Sequence, residues 1–97
     1  KERDRLRGYA QAGVGNVYVG SGKPDKALEL FTKILAEYKD PEVKAQALIG
    51  MGNSYIGMGD RDEAMKTFQE IVNKYKEIPF AYEEALRKIE ILKKEQQ

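Results

Sequence analysis

Apolar residues recur at intervals of three and four along most of the chain, and this spacing predicts α-helices. In the second half, for example, Ala64, Phe68, Ile71 and Tyr75 fall on one helix face. No run of alternating β-branched residues is long enough for a strand. The pattern therefore predicts an all-α fold of five helices, at about 4–20, 24–38, 41–57, 61–75 and 79–95.

Proline and aspartate residues mark where these helices start. Pro24, Pro41 and Pro79 fall near first helical positions, where the missing backbone N–H costs nothing. Asp60 stands as an N-cap with Glu63 three residues later, which is the spacing of a capping box. These residues predict the helix starts independently of the apolar spacing.

The chain repeats itself with a period of 37 residues. When residues 8–41 are aligned with residues 45–78, thirteen of the 34 pairs are identical. These pairs are Ala10/Ala47, Gly13/Gly50, Gly15/Gly52, Asn16/Asn53, Tyr18/Tyr55, Gly20/Gly57, Gly22/Gly59, Asp25/Asp62, Ala27/Ala64, Phe31/Phe68, Ile34/Ile71, Tyr38/Tyr75 and Lys39/Lys76. Each copy reads as two helices, so the sequence predicts two helical hairpins, at about 5–40 and 41–77.

The last helix, at about 79–95, departs from the repeat. Its apolar stripe consists of Tyr82, Ala85, Leu86, Ile89 and Leu92, and charged residues occupy the other positions. A terminal capping helix needs an apolar face that packs on the last hairpin and a polar face that contacts water. We therefore expect this helix to close the array.

The composition of the chain excludes several classes of function. The 97 residues suit a single domain, 1–97, and the sequence begins with Lys1 rather than methionine, so we expect a piece of a longer protein. There is no cysteine or histidine, which removes disulfides, thiolate metal sites and the commonest general base. The formal net charge of +1 gives no basic field for nucleic acid, and no window is apolar enough for membrane insertion. We therefore expect no enzyme, no metal and no cofactor.

The repeated order of small and large residues resembles the tetratricopeptide repeat family. The residues that carry the resemblance are Gly15, Tyr18, Gly22, Ala27 and Phe31, and again Gly52, Tyr55, Gly59, Ala64 and Phe68. The resemblance implies a right-handed α-solenoid of antiparallel helix pairs that binds another protein. The 37-residue period is similar to a longer bacterial subclass found in cell-envelope proteins, which leaves the compartment open between cytoplasm and bacterial periplasm.

In that family the first helix of each pair lines a concave groove, which implies a protein-binding surface here. The implied residues are Tyr9, Ala12, Asn16 and Val19 from the first copy, and Gln46, Ile49, Asn53 and Ile56 from the second. An asparagine amide can both donate to and accept from a peptide backbone, so Asn16 and Asn53 are the strongest candidates. Ala12 and Ile49 stand where the family's clamp for acidic tails has lysine, so we expect a peptide with apolar anchors instead.

Two features keep two interpretations each. Tyr9 is either a groove anchor or a cover for the open N-terminal end of the array. Gly13 and Gly50 either open the groove floor to a ligand backbone or allow close contact between adjacent repeats. The tyrosines and phenylalanines at repeated positions are expected to be core.

The alternative function is assembly of the protein with itself. The first predicted helix has no repeat before it, and solenoids usually need about three units to bury a continuous core. Its outer face would expose Leu6, Ala10, Val14 and Val17. That face would either pack against an earlier repeat of a longer protein or drive homo-oligomerisation.

Overall fold

The computed structural model describes residues 2–96 as five α-helices, and no strand occurs among those residues. The helices are α1 (Glu2–Gly20), α2 (Pro24–Glu37), α3 (Pro41–Gly57), α4 (Arg61–Lys74) and α5 (Pro79–Glu95). Each begins and ends within two residues of the expected position, and the all-α prediction is confirmed.

The helix boundaries follow from local chemistry. The Asp40 side chain accepts hydrogen bonds from the backbone amides of Glu42 and Val43, at 2.8 and 3.3 Å. Asp60 accepts one from the amide of Glu63 at 3.2 Å. These bonds satisfy amides that have no partner within a first helical turn. The cap of α4 predicted at Asp60 is therefore present, and Asp40 caps α3 in addition.

The turn within each hairpin contains a glycine in the left-handed region of backbone conformation. Gly22 has φ +77° and Gly59 has φ +79°, which glycine adopts without the steric cost that a Cβ brings. Both follow the first helix of a hairpin, α1 or α3. This shared turn explains why the same glycine recurs after 37 residues.

The helices form two rows. The first, third and fifth helices form an inner row, in which α1 contacts α3 and α3 contacts α5. Helices α2 and α4 form an outer row, and within residues 2–96 they make no contact with each other. Because only the inner helices touch, the array bends toward the inner row.

Two apolar clusters hold the rows together. The first joins α1, α2 and α3 and contains Ala12, Ala27, Phe31, Ile34, Val43 and Ala47. The second joins α3, α4 and α5 and contains Ala45, Leu48, Ile49, Ala64, Phe68, Ile71, Ala81, Ala85 and Leu92. Helix α3 contributes to both clusters, so it couples the two hairpins.

Phenylalanines of the outer row pack against glycines of the inner row. An added Cβ would lie 2.5 Å from the Phe31 ring at Gly15 and 2.5 Å from the Phe68 ring at Gly52. Gly50 also lies against Phe31 and is buried. Phe31 therefore sits between α1 and α3. Of the two interpretations of Gly50, the structure supports close contact between repeats, and the groove-floor hypothesis is wrong for this residue.

Helix α5 packs on α4 with a face slightly different from the expected one. Ala81, Ala85 and Leu92 are buried, while Leu86 is 43% exposed. The burial stripe thus runs through Ala81, one residue before the predicted Tyr82, and excludes Leu86. A helix that docks only on one side has no second neighbour to cover Leu86.

Candidate functional site

The eight residues expected to line a groove lie on one face each of α1 and α3, which are neighbours in the inner row. Asn16 and Ile56 are exposed, and Tyr9, Val19, Gln46 and Asn53 are half-buried. We call these six residues the inner-row surface. They combine amide, aliphatic and phenol groups and carry no formal charge.

The remaining two residues, Ala12 and Ile49, are not available to a ligand. Their side chains are only 2% and 8% exposed, and they belong to the two apolar clusters. Ala12 and Ile49 lie in the middle of α1 and α3, where neighbouring helices cover them. Val19 and Ile56 lie on the same side of these helices but near their C-terminal ends. The expectation that these two side chains line the groove is corrected: they pack the helices that carry it.

Asn53 differs from Asn16 although the two are equivalent in the repeat. The Oδ1 atom of Asn53 is buried and has no hydrogen-bond partner among the described residues, whereas the Asn16 side chain is exposed. A buried polar atom without a partner costs about 1–3 kcal/mol. Natural proteins rarely keep such an atom unless it has a function or binds water. Because this oxygen is closed to solvent, a ligand can reach it only if the Asn53 side chain turns toward the surface.

Tyr9 is held at one end of the surface by charged residues. Its hydroxyl donates to Glu42 Oε1 at 3.0 Å, and Arg5 NH1 lies 3.9 Å from the other carboxylate oxygen of Glu42. Burial, followed by the hydrogen bond to Glu42, raises the pKa of Tyr9 above its ordinary value. The tyrosine therefore stays neutral and donates, and its hydroxyl links α1 to the first turn of α3.

The same cluster fastens the start of α3 to α1. Arg5 Nε donates to Asp40 Oδ2 at 2.9 Å. Burial alone would raise the pKa of Asp40, but the hydrogen bonds from Arg5, Val43 and Glu42 outweigh it and lower the pKa. Arg5 and Glu42 were absent from the sequence prediction. The sequence feature that could have indicated Arg5 and Glu42 is the pairing of an acidic first turn in α3 with the basic start of α1.

The chemistry available at the inner-row surface is that of recognition. Amide side chains exchange hydrogen bonds with a peptide backbone, and Val19 and Ile56 offer apolar contact. Within residues 2–96 no group of carboxylates is placed to hold a metal ion. None of the described helices is long and apolar enough to cross a membrane.

The comparison with known families agrees with the repeated architecture. The family model described as tetratricopeptide repeat matches residues 18–89. This segment starts near the end of α1 and finishes within α5, so it spans the second half of the first hairpin, the whole second hairpin and most of the last helix. No curated protein and no solved structure matches the chain.

Proposed function

The chain belongs to the tetratricopeptide repeat family, and from that premise we propose that its inner-row surface binds a peptide segment of another protein. Members of this family are in general protein–protein interaction scaffolds, and their repeats are typically non-catalytic. The proposal adds a location and a ligand class to that general role. The location is the face formed by α1 and α3.

The observation that carries the proposal is the unsatisfied oxygen of Asn53. If the Asn53 side chain turns outward, a backbone N–H of a bound peptide would supply the donor that this atom lacks. The amide nitrogen of Asn53 would donate to a peptide carbonyl. The amide oxygen and the amide nitrogen of Asn53 would then both form hydrogen bonds with one peptide unit. Asn16, one repeat earlier and exposed, would offer the same groups to a second peptide unit.

The ligand class follows from the other residues of the surface. Val19 and Ile56 favour apolar side chains, and their positions near the C-terminal ends of α1 and α3 place these contacts at one end of the surface. Arg5 and Glu42 lie at the opposite end, paired with Asp40 and Tyr9. A ligand with one or two apolar anchors and a free backbone fits this arrangement better than a highly charged tail.

Selection from a random peptide library, followed by affinity measurements on variants, tests the proposal. Asn53→Ala is expected to weaken the selected peptides about three- to tenfold, the range for loss of one net hydrogen bond. Asn73→Ala is the matched control, because Asn73 is an exposed asparagine on α4 in the outer row. Equal affinity for both variants, with peptides that still saturate the protein, would place the binding site elsewhere.

Self-association is the second candidate function, and one observation favours it. Leu6, Val14 and Val17 on α1 are 67%, 50% and 65% exposed. Exposed apolar residues that lie together on one face commonly mark an interaction site. Sedimentation of the chain over a wide concentration range distinguishes this candidate, since a monomer at all concentrations excludes it for these 97 residues.

A further inference from the structure

The connection from α2 to α3 and the connection from α4 to α5 border an open cleft with a volume of about 590 Å³. We call it the connection cleft. The charged residues that line it are Arg5, Lys39, Glu42, Lys44, Lys74 and Glu77. Four of these six are basic, although the whole chain contains basic and acidic residues in nearly equal number, 17 and 16. Basic side chains are therefore concentrated at this cleft.

Two of the cations in the connection cleft lack a carboxylate partner. Lys44 is half-buried, and its ammonium donates to the backbone oxygen of Leu35 at 2.8 Å. Lys39 is exposed, and among residues 2–96 neither lysine forms an ion pair. An ammonium has three N–H donors, so Lys44 keeps two after its bond to Leu35. Partial removal of a cation from water has a cost, which a bound anion would offset.

The acidic residues of the chain satisfy only the other two cations of the cleft. Arg5 bonds Asp40 at 2.9 Å, and Lys74 pairs with Glu70 at 3.4 Å. The pair of Lys74 with Glu70 is exposed, and such pairs contribute little to stability. Glu77 lines the cleft but forms no ion pair within the described part of the chain. The two unpaired lysines are thus open to an anion that comes from a ligand.

The connection cleft adjoins the inner-row surface. Glu42 lines the cleft and accepts a hydrogen bond from the Tyr9 hydroxyl, which belongs to that surface, at 3.0 Å. Glu42 precedes Gln46 by four residues and Asn53 by eleven, so the three residues lie along one side of α3. A peptide that lies along this side of α3 therefore reaches the cleft at the end opposite Ile56.

The length of α3 sets the spacing of groups in such a peptide. Glu42 and Ile56 are fourteen residues apart, which corresponds to about 21 Å along the helix at about 1.5 Å per residue. An extended peptide advances about 3.3 Å per residue, so about six residues cover this distance.

We propose that the connection cleft binds one carboxylate side chain of the peptide, about six residues from the apolar anchor that contacts Ile56. The inference rests on the proposed peptide binding at the inner-row surface and adds the charge and the spacing of the ligand. The carboxylate accepts hydrogen bonds from the ammonium groups of the cleft, first from Lys39 and Lys44. These lysines do not stand at Ala12 and Ile49, the positions of the family's clamp for acidic tails, so the contact lies outside that clamp.

A series of synthetic peptides tests the proposal. The parent is a library-selected peptide that Asn53→Ala weakens, with an amidated carboxyl terminus so that only side chains carry carboxylates. A single glutamate is moved one residue at a time away from the apolar anchor, and each peptide is compared with glutamine at the same position. At a separation of about six residues, glutamate is expected to bind about two- to fivefold more tightly than glutamine, the range for one partly exposed ion pair. Elsewhere the two are expected to bind about equally.

Two pairs of lysine substitutions distinguish the cleft from a general attraction between opposite charges. Lys39→Gln with Lys74→Gln removes two cations of the cleft and is expected to remove most of the advantage of glutamate over glutamine. This ratio of affinities is unaffected if part of the protein fails to fold. Lys26→Gln with Lys33→Gln is the matched control, because these exposed lysines of α2 lie outside the cleft. Lys44 is left in place because its ammonium bonds the last turn of α2.

The proposal is overturned by a glutamate advantage that is absent at every position, equal at every position, or unchanged by the loss of Lys39 and Lys74. An advantage that the control pair removes equally would also overturn it. If peptides still bind and Asn53→Ala weakens them, the inner-row surface keeps its function and only the cleft loses its role. If no peptide binds the protein, the proposed function and this inference fail together.

Discussion

Phe31 of α2 lies against Gly50 of α3 so closely that a methyl group on Gly50 would overlap its ring. The same ring contacts Gly15 of α1, so one side chain joins three helices. This contact holds the first hairpin against the second and sets the spacing of α1 and α3. The inner-row surface is formed by those two helices, so its shape depends on this buried ring.

Substitution of the two equivalent glycines by alanine should have opposite effects on stability. Gly50→Ala is expected to destabilise the protein by about 1–3 kcal/mol, because the new methyl group overpacks against Phe31. Gly13→Ala is expected to stabilise it by up to about 1 kcal/mol, since the site is open and alanine favours the helix. Urea denaturation followed by circular dichroism measures both. Equal effects of the two substitutions would contradict the assigned contacts.

Truncation of the buried ring should be severe. Phe31 is fully buried, so Phe31→Ala is expected to cost about 3–5 kcal/mol in the free energy of unfolding. Phe80→Ala is the matched control, because Phe80 is 43% exposed and its loss is expected to cost about 1 kcal/mol or less. The same denaturation experiment compares them. If Phe80→Ala proved as costly as Phe31→Ala, the packing of the outer row on the inner row would be wrong as described.

The contribution of Asp40 should disappear in acid. The pKa of Asp40 is lowered in the folded state, so its stabilisation is present above the unfolded value of about 4 and is lost as pH falls through the lowered pKa. Asp40→Ala is expected to cost about 1 kcal/mol at pH 7, mainly through loss of the N-cap. Its cost should shrink steadily below about pH 4.

Asp40→Asn distinguishes the cap from the ion pair with Arg5. Asparagine caps helices about as well as aspartate but cannot ionise. This variant is expected to lose only the part of the Asp40 stabilisation that depends on its charge. It should therefore be more stable than Asp40→Ala at pH 7. Chemical denaturation between pH 3 and pH 7 gives both values. A cost of Asp40→Ala that is the same throughout this range would refute the assignment.

Arg61 should control fraying at the end of α5. Its guanidinium bonds Glu95 Oε1 at 2.6 Å and the backbone oxygen of Leu92 at 3.1 Å. Arg61→Ala is expected to change global stability by about 1 kcal/mol or less, because the ion pair is exposed. Hydrogen exchange near residues 90–95 should nevertheless accelerate several-fold, while the exchange of α3 stays unchanged. Lys66→Ala is the control, because Lys66 is on the same helix and its ion-pair partner among the described residues is Glu63.

Much of the fold could be predicted because its signals are local. Pro41 and Pro79 in first turns, the caps Asp40 and Asp60, and the turn glycine Gly59 determine where helices begin and end. These residues act within one helical turn, so the sequence carries the information directly. The repeat supplies one of these signals twice, since Gly22 is the counterpart of Gly59.

The candidate surface was predicted less completely because burial depends on neighbours. Ala12 and Ile49 share the spacing of the exposed residues, yet they turn toward the adjacent helix and are buried. Asn16 and Asn53 are identical in the repeat, but only Asn53 is enclosed. A difference between copies arises from their place in the array, since α3 has hairpin helices on both sides and α1 has them on one. No pattern within a single copy contains that difference.

The central claim, that the inner-row surface is where another protein binds, is tested most directly by nuclear magnetic resonance with a library-selected peptide. The side-chain NH₂ signals of Asn16, Asn53 and Asn73 report three locations in one spectrum. The account predicts that the peptide shifts the signals of Asn53 and Asn16, together with the backbone amides of Val19 and Ile56, and leaves Asn73 unchanged. Shifts confined to α5 or to the exposed face of α1 that carries Leu6 and Val17, with the Asn53 signal unmoved at saturation, would contradict it.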